Sequence, residues 1–154
     1  MATIPIYRLR LERAGTVHTP ERRVPSSVEA AQLLHEYVGD ADREQFVVLT
    51  LDTKGYATGL HTVAMGTLDS VTVHPREVFK MAILINAAAI IVGHNHPSGD
   101  PTPSPEDHRV TQRLVRAGEL LGIPVWDHLV LGEAGAFVST LLRGRRGGLS
   151  VCSS

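Results

Sequence analysis

The alternation of apolar and polar residues changes its period along the chain and predicts where strands and helices lie. The segment Ile6–Glu12 alternates apolar with basic side chains, a pattern typical of a half-exposed strand. The segment Ser26–Gly39 has helical spacing instead, with Glu29 three residues after Ser26 as in a capping box and a glycine as the stop. Two mostly apolar runs on either side of the turn DTKG then predict a β-hairpin.

The second half of the chain alternates helices with strands. Pro75 begins a predicted helix that passes into the buried strand Ala89–His96. A further helix has Ser104 as its N-cap and Gly122 as its stop. Short strands are also predicted at residues 70–73, 123–132 and 136–142. The resulting order β-α-β-β-β-α-β-α-β predicts an α/β or α+β fold, a mixed β-sheet flanked by helices.

Two histidines stand at the end of the buried strand. Because residues i and i+2 of a strand point to the same side, His94 and His96 converge on one point. Asp107, in the first turn of the following helix, is the natural third ligand of a two-histidine, one-carboxylate zinc site. The four prolines of the connecting loop PSGDPTPSP would hold the strand end and the helix start in a fixed relation.

A second interpretation of the same residues needs no metal. Ser104 and Asp107 have the S-x-x-D spacing of a helix cap, which stabilises a helix by itself. An isolated H-x-H is likewise a weak signal. The combination of strand end, rigid loop and helix start favours the metal site, and the capping interpretation stays open beside it.

Composition places few further bounds on function. The chain has 154 residues, a size typical of one domain. Its net charge of −1 provides no overall excess of positive charge to bind nucleic-acid phosphates. The basic exception is the cluster Arg143–Arg146 in a Gly/Arg-rich stretch predicted to be a flexible tail over 143–154. A single cysteine, Cys152, and no apolar segment of signal or membrane-spanning length indicate a cytoplasmic protein without a membrane partner.

The histidine pair, the serine and the aspartate resemble the motif of a known family. The spacing His94-x-His96-x7-Ser104-x2-Asp107 reproduces H-x-H-x7-S-x2-D, the signature of the JAMM (MPN+) metalloproteases. The longer strings HPREVFKMAILINAAAIIVGHNHPSG and REQFVVLTLDTKG resemble the RadC branch of that family. The resemblance covers residues 26–142, which we therefore expect to form a RadC-like JAB domain after an N-terminal strand or arm of residues 1–25.

The resemblance implies a JAB/MPN fold, similar to the three-layer sandwich of cytidine deaminases, with one Zn²⁺. His94, His96 and Asp107 match the zinc ligands of the family. Ser104 matches the serine that supports the oxyanion, which competes with its interpretation as a cap. Glu44 best matches the glutamate that serves as general acid/base, although without the resemblance it would be taken for a solvated glutamate at a strand entrance. Its rival, Glu77, lies in a first helical turn, where acids are common.

Several other residues receive weaker predictions. Ser98 and Gly99 are expected to shape the loop beneath the metal. Asp127 and His128 are either partners of the metal-bound imidazoles or an ordinary strand pair with one polar residue exposed. Surface or structural roles are expected for His61, His74 and His108. Trp126 is expected to lie in the core.

The expected function is that of a JAMM-type zinc hydrolase that cleaves a peptide or isopeptide bond with a zinc-activated water, acting on an unknown peptide or protein substrate. Two alternatives remain. The first is a DNA-associated role in repair or nucleic-acid processing, as for RadC. Longer RadC proteins have a helix-hairpin-helix module, which is expected to be lacking here because only about 25 residues precede the first helix. The second is a non-catalytic JAB scaffold. A homodimer is possible, without a residue that establishes it.

Overall fold

The computed structural model describes residues 1–66 and 73–141, which contain three helices and five strands. In chain order these are α1 (Ser27–Val38), β1 (Gln45–Leu51), β2 (Ala57–Met65), α2 (Pro75–Leu84), β3 (Ala89–Asn95), α3 (Pro105–Leu121), β4 (Val125–Leu131) and β5 (Phe137–Ser139). The predicted helices, the hairpin and the strand that carries the histidines are confirmed.

The five strands form one mixed sheet in the order β2-β1-β3-β4-β5. β1 pairs antiparallel with both β2 and β3, β3 pairs parallel with β4, and β4 pairs antiparallel with β5. The register of β1 against β3 sets Phe46 opposite His94. The end of the sheet that holds the histidines is therefore also the end where β1 begins.

Helices cover both faces of the sheet, which gives the expected three layers. On one face, α1 packs its buried leucines against the side chains of alternate strand residues. On the other, α2 and α3 pack around Phe46, Phe79 and Leu114. The contact with α1 is close at Gly93, where a Cβ atom would come within 2.7 Å of a methyl group of Leu34. A larger residue there would push α1 off the strand that carries the histidines.

Helix caps explain why α1 and α3 begin and end where the sequence predicts. The Ser26 hydroxyl accepts a hydrogen bond from the backbone N–H of Val28 and also contacts the Glu29 carboxylate. α3 begins at Pro105 after the Ser104 cap and ends at Gly122, which adopts φ +72°. The left-handed conformation at that position favours glycine.

Two sequence predictions are wrong. Ile6–Glu12 forms no strand: residues 1–18 have no helical or strand structure, and Ile6 and Leu9 are exposed. An alternating pattern gives a strand only where a neighbouring strand completes the hydrogen-bond ladder. Trp126 is 48% exposed rather than in the core, because β5 pairs only with Leu129–Leu131 and leaves the start of β4 at the sheet edge.

Other predictions fall outside the described residues. They are most of the strand at 70–73, the cluster Arg143–Arg146 and Cys152. In the part of the chain that is described, no helix is long and apolar enough to cross a membrane.

Candidate metal centre

Three side chains from two elements meet at one end of the sheet. His94 lies in β3, His96 follows its last residue, and Asp107 lies in the first turn of α3. The Nε2 atoms of His94 and His96 are 3.1 Å apart. Asp107 Oδ1 is 3.1 Å from the first of these nitrogens, and Oδ2 is 3.3 Å from the second. The three predicted ligands are thus brought together, and they form the one group of possible metal-ligating side chains found within the described residues.

These separations suit a tetrahedral zinc ion. Zinc bonds to nitrogen and oxygen of about 2.0–2.1 Å place neighbouring ligand atoms about 3.3 Å apart in a tetrahedron. The two imidazole nitrogens, 3.1 Å apart, lie slightly below this value, and each has a different oxygen of the Asp107 carboxylate at 3.1–3.3 Å. The donor set of two imidazoles and a carboxylate is also one that zinc commonly binds. His94 is 2% exposed, whereas the side chains of His96 and Asp107 are 16% and 14% exposed, so solvent reaches the cluster from their side.

The loop after β3 fixes the ring of His96. Its Nδ1 lies 2.8 Å from the carbonyl oxygen of Asp100, which can only accept, so Nδ1 carries the proton and Nε2 keeps a lone pair for a metal. The loop turns at Gly99, whose N–H donates to the carbonyl of His96. A Cβ atom on Gly132 would lie 2.5 Å from the Gly99 carbonyl oxygen, so the loop packs directly on the residue after β4. Gly99 therefore shapes the loop, as predicted.

Ser104 and Asp107 form a complete capping box. The Ser104 hydroxyl accepts a hydrogen bond from the Asp107 N–H at 3.1 Å, and Asp107 Oδ2 accepts one from the Ser104 N–H at 2.7 Å. The same carboxylate approaches both histidines, so its role as a cap is compatible with the predicted role as a ligand. Burial opposes ionisation of this carboxyl, but the contact with the His94 imidazole and the hydrogen bonds from Ser104 hold the pKa of Asp107 well below its usual range.

His128 contacts the buried His94 at Nδ1, the ring nitrogen that does not face Asp107 and His96. Its Nε2 lies 2.8 Å from Nδ1 of His94, and its Nδ1 lies 2.5 Å from the hydroxyl of Thr111 in α3. Burial lowers the pKa of His128 well below its usual value, so the ring stays neutral. Phe46 stacks on His94 with ring centroids 6.0 Å apart and meets His128 edge-on. These contacts make His128 a partner of the candidate metal site.

Asp127 points to the opposite face of the sheet. Its carboxylate accepts hydrogen bonds from the hydroxyls of Ser27 and Ser139, both at 2.6 Å. It therefore joins the start of α1 to β5 and has a structural role, away from the histidines.

The first residues of β1 are held against the histidine strand by Asn95. Its side-chain oxygen accepts from the N–H of Gln45, and its amide group donates to the carbonyl of Arg43. The pairing of β1 with β3 begins at Phe46 opposite His94, and Glu44 lies two residues before Phe46, just ahead of β1. The same antiparallel register continued by two residues would set Glu44 opposite His96, on the face of the candidate ligands.

Comparison with known proteins gives the family. The profile of the RadC-like JAB domain matches residues 24–145. The chain belongs to this family. A UPF0758 protein of Desulforudis audaxviator is 50% identical to the JAB domain described here over 129 residues, which are 84% of this chain and 53% of that protein. A UPF0758 protein of Methanosarcina barkeri is 45% identical over 134 residues, 87% of this chain and 58% of that protein. The chain thus spans little more than half the length of these relatives.

The remaining candidate residues of this JAB domain lie at the surface, cap a helix or belong to the loop after β3. Glu77 forms an ion pair with Lys80 at 2.7 Å on the exposed side of α2. The ring of His74 accepts a hydrogen bond from the N–H of Arg76 and so caps α2. His61 is exposed on β2. Ser98 contributes only a long contact, 3.4 Å from its hydroxyl to the N–H of Asp100.

Two residues of the site were missed in the sequence. Asn95 lies between the two histidines and was treated as a spacer, and Thr111 lies in the middle of α3. The position of Asn95 between His94 and His96 was the available signal, because a residue between two positions i and i+2 points to the opposite face of the strand. For Thr111, the signal was a hydroxyl on the helix face that also carries the buried residues Val110 and Leu114.

Proposed function

We propose that this RadC-like JAB domain is a zinc-dependent hydrolase that cleaves an amide bond, in a peptide or an isopeptide linkage. The observation that carries the proposal is the convergence of three ligand side chains: the Nε2 atoms of His94 and His96 are 3.1 Å apart, and each lies 3.1–3.3 Å from one oxygen of the Asp107 carboxylate, a donor set that suits a zinc ion with an open fourth position. The family membership supports the same function.

His94, His96 and Asp107 would hold the zinc. When bound, the ion supplies a Lewis acid that polarises a carbonyl and makes water a nucleophile near neutral pH. The exposure of His96 and Asp107 leaves one side of the cluster open to a substrate, whereas His94 is closed off by Phe46 and His128. We therefore infer that the scissile bond approaches from the side of the loop and the start of α3.

Glu44 is proposed as the general acid/base. It lies two residues before Phe46, the partner of His94, and from there it would accept a proton from the attacking water and return it to the leaving amine. The segment that carries Glu44 is held on both sides by Asn95, which supports a fixed position for this carboxylate.

Ser104 is proposed to stabilise the developing oxyanion, in addition to its role as a cap. A hydroxyl has one hydrogen to donate and two lone pairs to accept. The capping bond from the Asp107 N–H uses a lone pair of Ser104 Oγ and leaves its O–H available to donate. The two roles are therefore chemically compatible, and a single donor of this kind contributes about 10²–10³ to kcat in other hydrolases.

The test combines metal content with hydrolysis. Purified protein without an affinity tag is analysed for zinc and then incubated with a panel of unstructured peptides and lysine-linked isopeptides, with cleavage followed by mass spectrometry. We expect about one zinc per chain and cleavage of at least one substrate. Glu44→Gln should abolish cleavage and keep the zinc, whereas Glu77→Gln, the matched change of a surface glutamate, should keep both. Zinc-loaded protein that cleaves no member of the panel, or full activity in Glu44→Gln, would contradict the proposal.

A further inference from the structure

We propose that Thr111 and His128 are positioning residues that fix the tautomer of His94, so that its Nε2 carries a lone pair rather than a proton. The inference deepens the proposed function, because it concerns the zinc site on which that function rests. It is carried by an unbroken series of hydrogen bonds from the backbone of α3 to the buried ligand: Asp107 carbonyl, Thr111 hydroxyl, His128 ring and His94 ring.

The direction of the series is set at Thr111. Its hydroxyl donates to the carbonyl oxygen of Asp107 at 2.7 Å, an atom that can only accept. A hydroxyl has a single hydrogen, so Thr111 Oγ1 must accept at its other contacts. It therefore accepts from Nδ1 of His128 at 2.5 Å, and the hydroxyl of Thr140, 3.3 Å away, supplies a second donor. His128 consequently carries a proton on Nδ1.

The second step runs from His128 to His94. His128 is fully buried, and its two ring nitrogens contact a hydroxyl and an imidazole, neither of which would offset a buried positive charge. A neutral ring protonated at Nδ1 presents Nε2 as an acceptor. His94 must then donate from Nδ1 across the 2.8 Å contact, so in the neutral ring that binds a metal the lone pair is on Nε2, which faces Asp107 and His96.

The two histidine ligands thus reach the same tautomer by different routes. The Nδ1 proton of His96 is held directly by the backbone carbonyl of Asp100. The Nδ1 proton of His94 is held through two side chains, and the series begins at the backbone of Asp107, whose own carboxylate is the third ligand. If Thr111 donated to His128 instead, the order of donors would reverse and His94 would carry a proton on the nitrogen that must bind zinc.

The experiment observes the ring nitrogens directly. Long-range ¹H–¹⁵N correlation spectra of the zinc-free wild type should show a proton on Nδ1 of both His94 and His128 and no proton on Nε2 of His128. Zinc affinity is then measured by competition with a chelator for the wild type, Thr111→Val and Thr111→Ser. Valine keeps the shape of threonine and removes the hydroxyl, whereas serine keeps the hydroxyl. We expect a loss of about 10–100-fold in affinity for Thr111→Val, the range typical of partners behind metal ligands, and near-wild-type affinity for Thr111→Ser.

The outcomes separate this inference from the proposed hydrolase. A proton on Nε2 of His128 or none on Nδ1 of His94 in the wild type, or a folded Thr111→Val variant with unchanged zinc affinity and ring spectrum, would overturn the inference. If Thr111→Val does not fold, the wild-type ring spectrum still decides it. Neither measurement uses a substrate, so zinc binding with the expected tautomer but no cleavage would count against the hydrolase alone. A wild type that binds no zinc would remove the hydrolase, while the spectrum would still report the tautomer.

Discussion

Asn95 accepts a hydrogen bond on its side-chain oxygen from the backbone N–H of Gln45, at 2.7 Å, and its amide donates to the carbonyl of Arg43 at 3.0 Å. One side chain therefore holds the backbone on both sides of Glu44. The same residue lies between the two histidine ligands in β3. Asn95 thus fixes the backbone of the proposed acid/base relative to the proposed zinc ligands, and it does so without contacting zinc or substrate.

Replacing Asn95 should separate metal binding from catalysis. We expect Asn95→Ala to keep its zinc but to lose about 10²-fold in kcat, since a displacement of roughly 1 Å in a reacting group has an effect of this order. Asn95→Asp keeps an acceptor for Gln45 but sets a carboxylate oxygen against the carbonyl of Arg43, so we expect it to lose at least as much kcat. Faster hydrogen exchange at the Gln45 amide would show that the contact is broken. Unchanged kcat in Asn95→Ala would show that Glu44 does not depend on this contact.

Ser104→Ala tests whether the cap and the metal ligand are separable. Removing an N-cap hydroxyl costs about 1 kcal/mol of unfolding free energy, and we expect a loss of that size from denaturant unfolding. Zinc content should be unchanged, because the ligand atoms belong to Asp107 and the histidines. Asp107→Ala removes both the carboxylate of the capping box and a ligand, so it should lose stability and zinc together. Loss of zinc in Ser104→Ala would mean that the cap is needed to place the carboxylate.

Zinc should stabilise the folded protein by mass action. At a free concentration 100 times Kd, a ligand that binds only the folded state adds about 2.7 kcal/mol to the free energy of unfolding. We expect a matching rise in the thermal midpoint of the wild type when zinc is added to the stripped protein. His96→Ala should show almost no rise, whereas His61→Ala, a change of an exposed histidine on β2, should behave as the wild type. An equal rise in all three proteins would point to non-specific binding.

The buried ring of His128 should make the zinc-free protein less stable in mild acid. Burial lowers the pKa of His128 in the folded state, whereas the unfolded chain has the ordinary value of about 6.5. Below about pH 6.5 the unfolded state therefore binds more protons than the folded state, and the free energy of unfolding falls as pH falls, by up to about 1.4 kcal/mol per pH unit from this group. His128→Gln should show a shallower decline between pH 6.5 and 5 in denaturant unfolding. Equal slopes in the two proteins would contradict this assignment.

The parts of the fold that the sequence predicted are those that local rules decide. α1 and α3 have a serine before the first turn and a glycine after the last, so their bounds could be given nearly to the residue. β3 is buried along its whole length, and its apolar run was long enough to identify it. The convergence of His94, His96 and Asp107 was predictable for the same reason, because an i, i+2 pair and a helix start specify their own directions.

The errors and omissions share one cause, which is dependence on distant parts of the chain. Ile6–Glu12 has the pattern of a strand, but no neighbouring strand pairs with it in the described structure. Trp126 is exposed because β5 is too short to cover the start of β4. Asn95 acts on residues some fifty positions earlier, and Thr111 acts on His128, 17 positions later. Such contacts follow from sheet register and helix packing, which a single sequence does not specify. Glu44 was selected only through the resemblance to the family.

The capping box has a kinetic consequence. Asp107 holds the first turn of α3 closed with the same carboxylate oxygen that lies nearest His96. Fraying of this turn, the most easily opened part of a helix, would withdraw one of three ligands and leave an ion held by two imidazoles. The lifetime of bound zinc in this domain should therefore be governed by how often one turn of helix opens, and a mutation anywhere in that turn that slows its opening should prolong metal retention even if it never approaches the ion.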